Sequence, residues 1–272
     1  MRIEESRLNI VQNFVRAKKN QDFQLTTIRK SGTHFLDKLL RLVKIPDRKI
    51  YPLLHVEKID VEHLRSNVNY IISIRDPRDA VVSLANWLIN DKAVQKHKQN
   101  HTHSEEEHQR LLNMTMHERI NTAFDQTFLK GYQNVLRAKE KFPSNVHIFK
   151  FEDFIGPQYG GASKRAQLIT LQKIIKLCNR DLSIDEVRKA VAKVEGGTPT
   201  FTKRKEKVGG WKSILNDEQI KKIKEHLNPF ILKFGYETNP DWDVDFVKQR
   251  NAAKINQGKT LPLAGSVTEN LS

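Results

Sequence analysis

Lys30-Ser31-Gly32-Thr33 brings together an ammonium, two hydroxyls and a glycine in consecutive positions. These residues sit between an apolar, β-leaning run (Phe23, Leu25, Ile28) and a stretch in which Phe35, Leu36, Leu39, Leu40 and Val43 recur at helical spacing. A strand that breaks into a helix at such a loop aims backbone N–H groups, hydroxyls and the Lys30 ammonium at one point. That arrangement suits a phosphate or a sulfate. The order of the residues matters. A nucleoside-triphosphatase loop places Lys after the last glycine of GxxxxGK[ST]. Here Lys30 precedes Gly32 and no earlier glycine opens the loop, so an anion is expected and Mg-ATP is disfavoured.

A second apolar run, Tyr70-Ile71-Ile72-Ser73-Ile74, is short and continuous, as in a strand buried on both faces. It ends at Arg75-Asp76-Pro77-Arg78-Asp79 and passes into Ala80-Val81-Val82-Ser83. Pro77 suits a helix start and Asp76 suits its cap. Arg75 then closes the strand, and Ser83 lies two turns into the helix. Ligands of open parallel sheets bind outside the carboxyl ends of the strands. Two strands ending on cationic residues therefore suggest a ligand with two anionic groups. The alternative is a surface Arg/Asp cluster of ion pairs. A third segment holds Lys203-Arg204-Lys205 and then Gly209-Gly210-Trp211-Lys212. Taken alone, it fits a nucleic-acid patch or a solvated basic loop.

In this order the three segments resemble the cytosolic-type sulfotransferase family, which uses 3′-phosphoadenosine-5′-phosphosulfate (PAPS). The family's Thr-Tyr-Pro-Lys-Ser-Gly-Thr-Thr-Trp loop corresponds to Thr27 through Phe35. Its strand-end Arg with a following helical Ser corresponds to Arg75 and Ser83. Its Arg-Lys-Gly and Gly-x-Trp-Lys correspond to Arg204-Lys205 and Gly209 through Lys212. Phe151-Glu152-Asp153-Phe154 resembles its Tyr-Glu-Asp-Leu segment, and Phe234-Gly235-Tyr236 its ending. The chain departs from the pattern at Arg29, His34, Phe35 and Glu206, which stand for Pro, Thr, Trp and Gly.

The resemblance implies roles for these positions. Lys30 would bind the leaving oxygen, and the Ser31, Gly32 and Thr33 loop would hold the 5′-phosphate. Phe35 would offer a ring to the adenine, with Arg29, His34 and Phe151 completing the contacts. Arg75, Ser83, Arg204 and Lys205 would clamp the 3′-phosphate, with Ser83 counted beside Lys30 among the catalytic residues. The base would be His55, which ends the apolar run Ile50-Tyr51-Pro52-Leu53-Leu54-His55-Val56. A lone His ending such a run is ordinarily a packed structural residue. Glu57 and His34 are the reserves. Leu53 stands where the family has Lys.

The implied function is transfer of the sulfuryl group of PAPS to a hydroxyl or amine by in-line displacement, leaving adenosine 3′,5′-bisphosphate. The acceptor would be a small molecule or a carbohydrate rather than a nucleic acid, and no metal would be required. The alternatives are a P-loop-like nucleotide kinase and a non-catalytic nucleotide- or RNA-binding protein.

The elements that must position these residues alternate between short apolar runs and helical patterns. Strands are expected at 23–28, 49–54, 70–74 and 146–151. Helices are expected at 5–18, 34–44, 79–90, 116–141, 164–178, 183–193 and 216–233. This is an α/β fold: one domain with a central, mostly parallel sheet flanked by helices and a P-loop-like nucleotide-binding core. Residues 1–21 would form an N-terminal helix, 22–240 the sulfotransferase-like domain and 251–272 a mobile tail.

Within that domain, residues 91–118 carry His97, His101, His103, His108 and His117 among acids. They are expected to form a solvated polar insertion rather than a metal site. The net charge of +15 favours an anionic ligand but does not separate a nucleotide from a nucleic acid. No run approaches the ~18 apolar residues of a membrane span. The start of the chain lacks the apolar core of a signal peptide. The single Cys178 suits a reducing, cytoplasmic setting and a buried position.

Overall fold

The apolar run around residue 70 forms the centre of a four-stranded parallel sheet. The computed structural model describes residues 22–45, 54–56, 60–89, 105–196, 207–244 and 246. Strand β1 is Asp22–Thr27, β2 is Leu54–His55, β3 is Val68–Ile74 and β4 is Val146–Lys150. They lie in the order β2-β1-β3-β4, every neighbouring pair parallel. All seven residues of β3 are buried. The strand begins two residues earlier than its apolar run because Val68 and Asn69 also pair with β1.

Parity sorts the two faces. Phe23 and Leu25 of β1, Ile71 of β3 and Phe149 of β4 join one core cluster. Leu36, Leu39 and Leu40 of helix α1 (Thr33–Leu42) complete it from one side. Tyr70, Ile72 and Ile74 point the other way and are buried as well. Both faces are therefore covered, as parallel sheets require.

Helix α2 is Pro77–Leu88. Asp76 caps it, accepting from the Arg78 N–H at 3.0 Å, and Pro77 opens its first turn. Helices α3 (Glu105–Asn113), α4 (Met116–Ala123) and α5 (Gln126–Lys141) follow. The single helix expected over 116–141 is thus two. Asp125 accepts from the Phe128 N–H at 2.6 Å and starts a new helix, where the earlier one has ended at Phe124. Part of the expected polar insertion is also ordered. His108 lies in α3 and is buried, whereas His117 in α4 is exposed. His97, His101 and His103 lie outside the described residues. Among the described residues no group of acids, Cys and His could hold a metal ion.

After β4 come the short helix α6 (Phe151–Phe154), then α7 (Lys164–Leu177), α8 (Ile184–Gly196) and α9 (Trp211–Ile214). Leu171 and Ile175 of α7 and Val187 and Val191 of α8 extend the same cluster. Cys178 ends α7 and is buried, and burial pushes its thiol far up.

The described residues fall into two compact units divided after Asn216. The second contains α10 (Asp217–Lys233). Gly235, at φ 63°, lets the chain turn back, so that the Tyr236 N–H reaches the Ile231 carbonyl at 2.9 Å. The buried Trp242 donates from Nε1 to Asn228 Oδ1 at 3.0 Å. The helix expected at 5–18 and the tail from 251 lie outside the described residues, as does the part of the 49–54 strand before Leu54.

Candidate active site

The carboxyl ends of β2, β1 and β3 form one row. His55 pairs with Thr27, and Thr27 pairs with Ser73. Directly paired residues project to the same face, a strand spacing of ~4.8 Å apart. Thr27 Oγ1 lies 3.4 Å from His55 Nδ1 and 2.7 Å from Thr33 Oγ1. One hydroxyl thus joins the strand-end histidine to the first residue of α1. On the far side of His55, Val56 is held by Asn134 of α5, whose Nδ2 donates to the Val56 carbonyl at 3.1 Å.

The loop between β1 and α1 is stapled to β3. The Ile28 N–H donates to the Ser73 carbonyl at 3.0 Å, and the Ser31 N–H donates back to the Ile28 carbonyl. The Ser31 hydroxyl is buried and donates inward, to the carbonyls of Ile28 (2.6 Å) and Ser73 (2.9 Å). Ser73 Oγ closes the staple by donating to the Ser31 carbonyl. The Ser31 side chain therefore holds the loop in shape and is turned away from any ligand at the loop surface.

Lys30 adopts φ 67°, a left-handed conformation that costs a non-glycine residue about 1–2 kcal/mol. Arg75 helps hold it there, since its Nη1 donates to the Lys30 carbonyl at 3.2 Å. The Lys30 ammonium lies 6.0 Å from the Trp87 ring centroid of α2. Gly32 follows at φ 86° and precedes α1, whose first amides have no side-chain cap. A Cβ at Gly32 would stand 2.8 Å from ring atoms of Phe151 and Phe154. Two aromatic rings pressed against the loop thus demand glycine.

Other predicted residues have mixed placements. His34 is exposed. Arg29 is half-buried beside Lys30. Phe35 is half-buried and stacks on Phe154 at 6.0 Å between centroids, so one face of its ring is already engaged. Phe151 lies under the Arg75 guanidinium at 4.7 Å. Arg75 is buried, and its Nε has no hydrogen-bond partner. Ser83 is buried on α2. Arg204, Lys205 and Glu57 lie outside the described residues.

Sequence reasoning missed an acidic layer behind these groups. Glu152 accepts from the Asp76 N–H at 3.0 Å. Burial pushes its carboxyl up to about 7 from 4.5, against the hydrogen bond from Asp76. Asp76 also pairs with the Arg78 guanidinium at 2.7 Å, and that guanidinium lies 4.1 Å over the Trp211 ring. Burial raises Asp79, although the Arg75 charge opposes it. The Tyr132 hydroxyl donates to the Arg75 carbonyl at 3.4 Å. Asp79 and Glu152 stood inside segments the sequence singled out, and Ser73 stood in the strand. Nothing local marked their partners.

Ammonium, uncapped helix amides, buried guanidinium and a strand-end imidazole can bind an anion and take a proton beside it. Comparisons with known proteins give this chemistry its class. The sulfotransferase domain family matches residues 47–235, more than half of the chain, and this protein belongs to it. It is a sulfotransferase. The loop at 26–35 precedes the matched range, so its assignment rests on the residues and geometry above. Two solved structures share the fold. Mouse sulfotransferase SULT7A1 complexed with PAP is 17% identical, with a TM-score of 0.53 over 84% of this chain and 88% of that one. Retinol dehydratase in complex with androsterone and inactive cofactor PAP is 11% identical, with a TM-score of 0.50 over 78% and 80%. At these identities the likeness is one of fold. No curated protein matches the sequence.

Proposed function

We propose that this enzyme takes its sulfuryl group from PAPS and passes it to the hydroxyl or amine of a small molecule or carbohydrate. The observation that carries the reading is the convergence of three groups at the carboxyl ends of β1–β3. These are the left-handed Lys30 braced by Arg75, the uncapped amides of α1, and His55 beside Thr27. PAP in both related structures supports the donor. The buried Arg75 Nε, a donor in want of an acceptor, suits an anionic group.

In the reaction, the acceptor oxygen or nitrogen bonds to sulfur as the bond from sulfur to the 5′-phosphate oxygen breaks. The acceptor proton passes to His55. If Nδ1–H faces Thr27 Oγ1, the Nε2 lone pair is the base. Lys30 and the α1 amides meet the charge that develops on the departing phosphate oxygen. Ser83, with Arg204 and Lys205, is assigned to the 3′-phosphate. No described helix is long and apolar enough to cross a membrane, and we place the activity in the cytoplasm.

Two measurements test the reading. Adenosine 3′,5′-bisphosphate should raise the melting temperature without Mg²⁺, by up to ~2.7 kcal/mol of stability at 100 times its Kd. Mg-ATP should stabilise less, and RNA only at low salt. Lys30→Ala should lower kcat for transfer from PAPS by at least ~100-fold. A larger shift with Mg-ATP would instead favour the nucleotide kinase, and retained turnover in Lys30→Ala would remove Lys30 from the mechanism.

A further inference from the structure

Asp79 stands in the first turn of α2 and is 3% exposed. Its two carboxylate oxygens are divided between two backbone donors far along the chain. The Gly209 N–H donates to Oδ2 at 2.7 Å and the Trp211 N–H to Oδ1 at 3.0 Å. Gly209 has φ 80°, which turns the backbone so that alternate amides reach one carboxylate. The Gly210 N–H between them is turned back to the Lys207 carbonyl at 3.0 Å. The clamp is reinforced one residue away, where Arg78, paired with Asp76, lies over the Trp211 ring.

Asp79 and Ser83 are one helical turn apart on α2, and both are buried. Residues at that spacing share a face of the helix. The clamp therefore seats the 207–211 segment on the face of α2 that carries Ser83. Arg204 and Lys205 precede this segment in sequence, separated from it by Glu206.

We propose that Asp79 is a positioning residue for the 3′-phosphate end of the nucleotide: it fixes the Gly209–Trp211 backbone against α2 without touching the ligand. A carboxylate on the ligand's own side would repel a phosphate, but this one is spent on two amides and faced by Arg75. It holds the backbone amides of Gly209 and Trp211 without presenting its charge. The inference rests on the PAPS reading above and adds a residue to which that reading gives no role.

The test compares adenosine 3′,5′-bisphosphate with adenosine 5′-monophosphate, which lacks the 3′-phosphate, by calorimetry on the full chain. The wild type should bind the bisphosphate more tightly. Asp79→Asn keeps the volume and one acceptor but loses the second. It should reduce that preference by about tenfold, the scale of one hydrogen bond to a charged group, while leaving monophosphate affinity unchanged. Asp79→Ala should reduce it further. Equal losses for both ligands, or an unchanged preference, would overturn the role of Asp79 alone. Failure of Asp79→Asn to fold would also overturn it, making Asp79 a residue of general stability. Absence of any 3′-phosphate preference in the wild type would instead sink the PAPS reading beneath it.

Discussion

His55 Nδ1 lies 3.4 Å from Thr27 Oγ1, across the parallel pairing of β2 with β1. Thr27 in turn meets Thr33 at the end of the proposed anion loop, where α1 begins. The proposed base and the proposed phosphate cradle are thereby joined through one buried hydroxyl.

His55→Ala should lower kcat by ~10²–10⁴-fold and leave binding of adenosine 3′,5′-bisphosphate intact, because proton transfer matters in the transition state alone. Thr27→Val, which keeps the shape and removes the hydroxyl, should cost about tenfold in kcat. The acidic limb of the pH–rate profile should vanish in the His55 variant. Full activity with a lowered melting temperature would make His55 a packing residue and return attention to Glu57 and His34.

Gly32→Ala tests the loop from the other side. It would place a methyl group 2.8 Å from the Phe151 and Phe154 rings at a φ of 86°. Left-handed strain and overpacking together should destabilise the protein by about 2–4 kcal/mol in urea denaturation. Nucleotide binding should weaken as well, since the loop amides shift with the backbone. A variant of unchanged stability would mean that the rings yield freely.

Glu152 gives a pH signature. Its folded-state value of about 7 lies above the ordinary 4.5, so the folded protein holds this proton more tightly than the unfolded chain. Its contribution to stability therefore falls as pH rises from about 4.5 to about 7, by at most ~3 kcal/mol. His147 acts in the opposite sense. Burial holds it down to about 4 from 6.5, so its contribution is lost as pH falls through that window. The two partly cancel in the wild type, and the single variant is the informative measurement. Glu152→Gln can still accept from the Asp76 N–H. Its stability relative to wild type should grow between pH 5 and pH 7 and level off above. A pH-independent difference would show that Glu152 is ionised throughout.

The parts of this protein legible in its sequence are those set by neighbours along the chain. Lys30 through Thr33 announced a strand-to-helix loop because strand and helix periodicities meet there. Asp76 and Pro77 announced the start of α2 because caps and first-turn prolines act within a few residues. The continuous apolar run announced β3 because a strand covered on both faces has no polar side, and the buried Cys178 followed from its apolar surroundings. The break between α4 and α5 was less visible. Its cap, Asp125, sits inside an unbroken helical pattern, and only the hydrogen bond to Phe128 marks it.

What tertiary structure decided is which of these groups face one another. Strand order put His55 beside Thr27, and Ser73 under the loop on the other side. Packing turned the Ser31 hydroxyl inward and pressed Phe151 and Phe154 onto Gly32. Folding carried Asp79 to the amides of Gly209 and Trp211, and Glu152 to that of Asp76. The physical reason is range. Propensity, capping and periodicity act over a turn or two of backbone, whereas a buried carboxylate finds its donors wherever the packed chain brings an amide within ~3 Å.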